Sequence, residues 1–179
     1  MTLVSENTID AVVESLETAD FEAEVAVLGD EQPALLAYVM SEEFELLTQD
    51  ERELMLYIII VLWRSVERHK GAALDPLPDE ESGYKHSINA LEDAEERNWE
   101  RLDTVTLKHF RDRMTVFFDG YGQEDLLAFV EDTLVEDDDS IVTKEGREPM
   151  FVALKSVIDI ICHEFHQFSL IYFKTICFN

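Results

Sequence analysis

Residues 48–71 read TQDERELMLYIIIVLWRSVERHKG, and this stretch decides the fold. Thr48 and Glu51 have the spacing of a capping box, in which a hydroxyl and a carboxylate satisfy the free amides of a helix start. Gly71 suits the left-handed residue that follows many helices. Between these ends, Leu54 to Trp63 are apolar on every face, and such a helix must be surrounded by protein. The stretch therefore predicts a central helix enclosed by other helices.

The rest of the chain also favours helices. Its 179 residues include only 6 glycines and 4 prolines, and no segment alternates strictly between apolar and polar residues. The pattern predicts an all-α protein, a single domain over residues 1–179 that forms a bundle of six or seven helices with a long apolar C-terminal helix. Residues 71–86 are predicted to form one long internal loop, because their prolines and glycines argue against regular structure.

The region before the central helix is harder to interpret. Residues 20–29 have no clear pattern and end at Gly29. Asp30 is predicted to cap a helix over residues 30–46, in whose first turn Pro33 is tolerated because that position needs no amide hydrogen.

The chain is strongly acidic. It has 40 acidic and 14 basic residues, which gives a formal net charge of −26 at pH 7. Such a chain cannot neutralise many phosphates, so nucleic-acid binding is excluded. Three explanations of the acidity stay open, since all rest on the same count: a solvated surface in a saline cytoplasm, a surface that docks a basic protein partner, or a mimic of nucleic acid.

The expected location is the cytoplasm. Residues 1–10, MTLVSENTID, lack the basic and apolar regions of a signal peptide. The longest apolar run, Leu54 to Trp63, is too short to cross a bilayer, so no membrane association is expected. Cys162 and Cys177 lie about 22 Å apart if they share one helix. They cannot then form an intrachain disulfide, which fits a reducing compartment.

The segment from Pro149 to Asn179 has no net charge, because two lysines balance two acids. On a helical wheel its apolar residues form one stripe with steps of four and three, the pattern of a helix packed along its length against a partner. We expect this stripe to form a homodimer interface. Its members are Leu154, Ile158, Ile161, Phe165, Phe168, Tyr172 and Ile176.

The same helix has a polar strip, which we expect to face solvent or the rim of the core. It includes Lys155, Ser156 and the set Asp159, His163 and His166, whose spacing places a carboxylate and two imidazoles on one face. These groups suit Zn²⁺ or Fe²⁺, so they are the candidate metal ligands. His163-Glu-Phe-His166 is one residue shorter than HExxH, and no Glu-x-x-His pair is present, so no cofactor is predicted.

Glu164 departs from this division, because it projects into the apolar arc of the helix. A buried carboxylate must be paired or protonated. Glu164 is therefore predicted to find a basic partner on another helix, to lie at the edge of the core, or to act as a ligand or an acid/base group with a raised pKa.

The functional hypotheses follow from these features. The leading one is a non-catalytic module that self-associates or binds another protein. One alternative is a metal-dependent or small-molecule-binding enzyme that uses the C-terminal helix. The other is an acidic mimic that binds a basic partner. No motif of a phosphate-binding loop, a dinucleotide-binding fold or a nucleophile elbow is present to favour a particular reaction.

Overall fold

The computed structural model describes residues 2–75, 77, 84–135 and 141–176. For residues 43, 84–86 and 163–176 it describes the backbone but not the side chains. These residues confirm the all-α class, and no strand occurs among them. They form eight α-helices rather than six or seven, and a short 3₁₀ turn at Glu42–Phe44. The helices are α1 (Glu6–Leu16), α2 (Phe21–Glu31), α3 (Pro33–Val39), α4 (Gln49–Lys70), α5 (Tyr84–Asp103), α6 (Phe110–Phe118), α7 (Glu124–Leu134) and α8 (Lys144–Ile176).

The structure has more helices than predicted for two reasons. Residues 20–29, which have no clear pattern in the sequence, belong largely to a helix, and the single helix predicted over residues 30–46 is divided. Asp20, not Asp30, is the cap, and its carboxylate accepts hydrogen bonds from the amides of Glu22 and Ala23 at 3.1 and 3.4 Å. The helix it opens runs through Asp30 and stops at Gln32, whose φ of −135° and ψ of 60° leave the helical range. Pro33 then begins α3, since a proline has no amide hydrogen to continue the preceding helix.

Helix α4 lies at the centre of the described fold, as its sequence predicts. The Thr48 and Glu51 capping box is present, and Gly71 closes the helix at a φ of 67°. Every residue from Ile58 to Trp63 is fully buried. Helices α1, α2, α3 and α8 surround α4, so its apolar residues have protein on all sides.

Helix α8 is the second central element. It begins at Lys144, ahead of the neutral segment that starts at Pro149, because Thr143 caps it by accepting a hydrogen bond from the amide of Gly146 at 3.0 Å. Every residue from Met150 to Ile158 is buried against α4, α5 and α7. Among the described residues, no helix combines the length and the apolar character needed to cross a bilayer.

Part of the predicted internal loop is described. Residues 72–75 and residue 77 form no helix, whereas residues 84–86 already belong to α5. The other positions of the predicted loop, 76 and 78–83, lie outside the described residues. Leu74 and Leu77 are buried, so the start of this connection is packed against the core.

Candidate functional site

Asp159 is the centre of a polar cluster where α5 and the α6–α7 connection meet α8. Lys155, one turn earlier on α8, places its ammonium 2.6 Å from both carboxylate oxygens. The hydroxyl of Tyr121 donates to Oδ1 at 2.9 Å, and the amide of Asn98 donates to Oδ2 at 3.2 Å. Asn98 also donates to Ser156 Oγ at 3.0 Å. The cluster thus joins three parts of the chain through one carboxylate.

The electrostatics of this cluster explain why the charged pair persists in a buried place. Burial lowers the pKa of Lys155, while the nearby Asp159 carboxylate opposes that decrease. The ammonium also lies 4.2 Å from the centroid of the Tyr121 ring, where a cation is attracted to the ring face. Burial and the charge of Asp159 raise the pKa of Tyr121, so its hydroxyl stays protonated and donates.

The predicted solvent-facing strip is therefore wrong at its first two positions. Lys155 and Ser156 are buried, because α5 covers this side of α8 and supplies Asn98 as a partner. The helical wheel records only which residues share a face, and it contains no information about which neighbouring helix covers that face.

The candidate metal ligands lie only partly within the described residues. Asp159 is described, and Lys155, Tyr121 and Asn98 already occupy its oxygens. The side chains of His163 and His166 lie outside the described residues, as does that of the candidate buried acid Glu164. Among the side chains that are described, no group of three or more His, Cys, Asp or Glu has a metal-binding arrangement.

Cys162 follows the cluster on α8. Burial and the negative charge of Asp159 raise the pKa of its thiol to about 12. The thiol is therefore protonated at neutral pH, and a protonated thiol is a poor nucleophile.

The predicted interface stripe divides into two parts. Leu154, Ile158 and Ile161 are buried within the chain itself, where α8 meets its neighbouring helices. The side chains of the remaining members, Phe165, Phe168, Tyr172 and Ile176, lie outside the described residues.

A groove between α1 and α7 is the feature that the sequence interpretation missed. The two helices begin side by side, because the amide of Glu6 donates to Asp125 Oδ2 at 3.0 Å. The groove has a volume of about 480 Å³, and its apolar lining residues, here called its floor, are Ile9, Ala128 and Phe129. The two helices that border it, here called its walls, contribute four carboxylates to the lining, those of Glu6, Asp10, Asp125 and Asp132.

The walls of this groove belong to a wider acidic surface. Residues 1–51 contain 14 acidic residues and no Lys, Arg or His. In α1, its C-terminal cap Glu17 and α2, most of these acids are exposed: Glu6, Asp10, Glu14, Glu17, Glu22, Asp30 and Glu31. The uneven distribution of basic residues is readable from the sequence and could have indicated this surface. The groove itself depends on α7, more than a hundred positions further along the chain, and has no local signal.

Comparison with protein-family models, with curated proteins and with solved structures gives no significant match.

Proposed function

We propose that this chain is a non-catalytic protein-interaction module that binds a basic partner protein. The observation that supports the proposal best is the surface of α1 and α2, where exposed carboxylates occur in a region of 51 residues without a single Lys, Arg or His. A surface of one sign attracts an oppositely charged partner over a distance and increases the rate of encounter.

The internal ion pairs leave this surface largely unneutralised. Arg64 contacts Glu24 at 3.0 Å and Glu31 at 3.8 Å on α2. Other ion pairs among the described side chains involve acids in later parts of the chain. Arg113, for example, contacts Glu148 at 2.7 Å. The remaining carboxylates of α1 and α2 suit a partner protein whose surface carries Lys and Arg.

The buried polar groups support a structural rather than a catalytic role. Glu51 accepts hydrogen bonds from the amides of Thr48 and Thr143, the residues that cap two helices. Asp159 and Lys155 are committed to each other and to the helices around them. Groups held in this way maintain the scaffold that presents the acidic surface.

The test is capture of a partner by the immobilised chain from a lysate of its own organism, with elution in steps of increasing salt. The expected result is a basic protein that is retained at low ionic strength and released by salt, because screening weakens contacts between exposed charges. The purified partner should then bind in a calorimeter with the same salt dependence.

Two charge-matched variants make the capture specific. One combines Glu14→Gln, Glu22→Gln and Asp30→Asn on α1 and α2, and the other combines Glu92→Gln, Glu96→Gln and Glu100→Gln on α5. All six side chains are exposed, so both variants should fold. The first should lose the partner and the second should keep it. Equal capture by both, or no basic protein even at low ionic strength, contradicts the proposal.

A second proposal is self-association through the later part of α8. Two copies of a chain with charge −26 repel each other least where the sequence is neutral, and the segment from Pro149 to Asn179 is neutral. Leu154, Ile158 and Ile161 are already buried against other helices of the same chain, so the proposed contact between two copies is assigned to the later members of the stripe. Phe165, Phe168, Tyr172 and Ile176 continue it with the same spacing.

Light scattering over a range of concentrations tests self-association. The expected result is a dimer that Phe168→Asp and Tyr172→Asp convert to a monomer, while Gln167→Asp on the polar side of the same helix has no effect. Deletion of residues 170–179 should destabilise or aggregate the chain. A full-length protein that stays monomeric at every concentration contradicts this second proposal and leaves the first intact.

A further inference from the structure

We propose that the groove between α1 and α7 is the place where the basic partner docks, and that the partner contributes a short amphipathic helix with Lys or Arg beside its apolar face. This inference rests on the proposed binding of a basic protein. It assigns the contact with one helix of that partner to the groove, while the exposed acids of α1 and α2 contact the rest of its basic surface. The groove combines an apolar floor with acidic walls, which is the complement of a basic amphipathic helix.

The dimensions of the groove suit a helical segment. The lining residues of α7 are Asp125, Ala128, Phe129, Asp132 and Thr133, a spacing that places them on one face of that helix. From residue 125 to residue 133 this face is about 12 Å long, or roughly two helical turns. A docked helix with apolar residues at positions i, i+3 and i+4 would place them against Ala128 and Phe129, which are partly exposed.

The carboxylates are placed for contact with cations on both sides of such a helix. Glu6 and Asp10 lie on the α1 wall, and Asp125 and Asp132 lie on the α7 wall. Each wall therefore carries two negative charges. A partner with basic residues on both flanks of its apolar face could contact both walls at once, whereas a partner with a single basic edge could not.

Arg111, a basic residue beside the groove, does not close it. Arg111 contacts Asp132 at 2.8 Å, but the two side chains are 58% and 67% exposed. Exposed ion pairs contribute little to stability, so a basic residue of the partner can replace Arg111.

Two other surfaces of the described residues fit a basic helix less well. A hollow beside α3 and α4 is lined by Met40, Leu56, Arg52 and Glu53, and its two charges balance. A second hollow contains Arg64 and Arg68 together with Glu24 and Glu67, so its charges also balance. The lining of the groove between α1 and α7 has a larger excess of negative charge than either of these two hollows.

The experiment uses a fluorescent peptide of about four helical turns, with Leu at positions i, i+3, i+4 and i+7 and Lys or Arg at most others. A scrambled peptide of the same composition keeps the charge and loses the apolar face. Fluorescence anisotropy with the full-length chain gives the dissociation constant of each peptide at low and at physiological ionic strength. The amphipathic peptide is expected to bind about tenfold more tightly than the scrambled one.

Variants of the chain locate the binding. Asp10→Asn with Asp132→Asn removes one charge from each wall and should weaken binding of the amphipathic peptide about tenfold at low ionic strength. Ala128→Lys places a cation in the floor and should abolish it. The matched control, Glu92→Gln with Glu96→Gln, makes the same change of charge on exposed positions of α5 and should alter binding less than twofold. Circular dichroism of each variant confirms that it is folded.

Each outcome decides the inference. Loss of binding in the groove variants alone supports it. If peptide binding is weakened equally in the groove variants and in the α5 control, the groove is not the binding site. The proposal of an acidic interaction module is then unaffected. Equal binding of the two peptides, or binding of neither, overturns the docked helix. The capture experiment with the α1 and α2 variant then decides separately whether the chain binds a basic protein by another part of its surface.

Discussion

Glu51 Oε1 accepts hydrogen bonds from both the amide and the hydroxyl of Thr143, at 2.8 and 2.7 Å. The other oxygen accepts from the amide of Thr48 at 2.7 Å. Thr48 caps α4 and Thr143 caps α8, so a single buried carboxylate fixes the starts of the two central helices against each other. The orphan amides of two helix ends are thus satisfied together.

Replacement of Gly146 by Ala should destabilise the fold by about 2 kcal/mol, because it overpacks a filled site. A Cβ at this position would lie 2.2 Å from Glu51 Oε1, and the hydrogen bonds from Thr143 prevent that oxygen from moving away. The prediction opposes helix propensity, which favours Ala over Gly by about 1 kcal/mol. Denaturant unfolding of Gly146→Ala measures the change in the free energy of unfolding.

The control is a double-mutant cycle with Glu51→Ala. Once the carboxylate is absent, Ala at position 146 meets no oxygen and should be neutral or stabilising by up to about 1 kcal/mol. If Gly146→Ala costs the same with and without Glu51, then the carboxylate is not the cause of the cost.

The contribution of Glu51 should depend on pH. Burial alone would raise the pKa of Glu51, but hydrogen bonds from Thr143 and Thr48 outweigh it and hold that pKa below the ordinary value of 4.5. A carboxyl with a lowered pKa in the folded state adds stability at pH values above its unfolded pKa. This stability is lost as the pH falls through the folded pKa.

Glu51→Gln isolates this effect from the rest of the acidic chain. Protonation of surface carboxylates relieves repulsion and changes the stability of every variant, so the quantity to compare is the difference between the wild type and Glu51→Gln. That difference should be about 1–3 kcal/mol at pH 7 and should shrink as the pH falls below 4.5. A difference that grows towards acid pH would mean that the pKa of Glu51 is raised.

Local chemistry explains what the sequence predicts well. The capping box of Thr48 and Glu51 spans four consecutive residues, and the apolar centre of α4 needs no partner to be recognised. The contact between Glu51 and Thr143 joins positions 92 residues apart, and no pattern of residue types identifies it. The same limit applies to Asp159, whose partners Asn98 and Tyr121 come from other elements.

The Asp30 prediction failed for a different reason. Gly29 reads as a helix stop, yet it lies within α2 because Leu28 is fully buried and secures that turn in the core. A Cβ at Gly29 would lie 3.0 Å from Leu36 Cδ2, so the glycine permits a close approach of α3 instead of ending α2. Tertiary packing thus outweighs a local propensity of about 1 kcal/mol.

Asp159→Asn should destabilise the chain by about 2–3 kcal/mol. The substitution removes the countercharge of Lys155, whose side chain is 4% exposed, and leaves a buried ammonium without a carboxylate. The expected loss of stability is smaller than for a fully buried ion pair, because the Asp159 side chain is 27% exposed. Thermal or denaturant unfolding measures it.

Two further variants separate the missing charge from lost packing. Lys155→Met combined with Asp159→Leu removes both charges and should be less harmful than Asp159→Asn alone, since hydrophobic replacement of a buried pair is often neutral. Asp132→Asn breaks the exposed pair with Arg111 and should cost less than about 1 kcal/mol. Equal costs for Asp159→Asn and Asp132→Asn would show that burial of Lys155 does not matter.

Protein purified without chelator is expected to contain no stoichiometric zinc or iron. Asp159 is the described member of the candidate ligand set, and Lys155 lies 2.6 Å from both of its oxygens, where it would compete with a metal ion. Elemental analysis by mass spectrometry measures the content. One metal ion per chain, lost in His163→Ala, would contradict this expectation and favour the metal-dependent alternative.

Gln32→Ala should loosen the start of the connection between α4 and α5. The buried Gln32 amide donates to the carbonyls of Leu74 and Asp75 at 3.4 and 3.2 Å, and its oxygen accepts from the amide of Leu77 at 3.0 Å. Removal of these bonds leaves buried backbone groups without partners and should cost about 2–3 kcal/mol. The amide of Leu77 should also exchange its hydrogen much faster, because Gln32 is the acceptor that protects it. Gln49→Ala is the matched control, since the side-chain bond described for Gln49 is an exposed one to Glu53 at 2.7 Å, and its loss should change neither quantity appreciably.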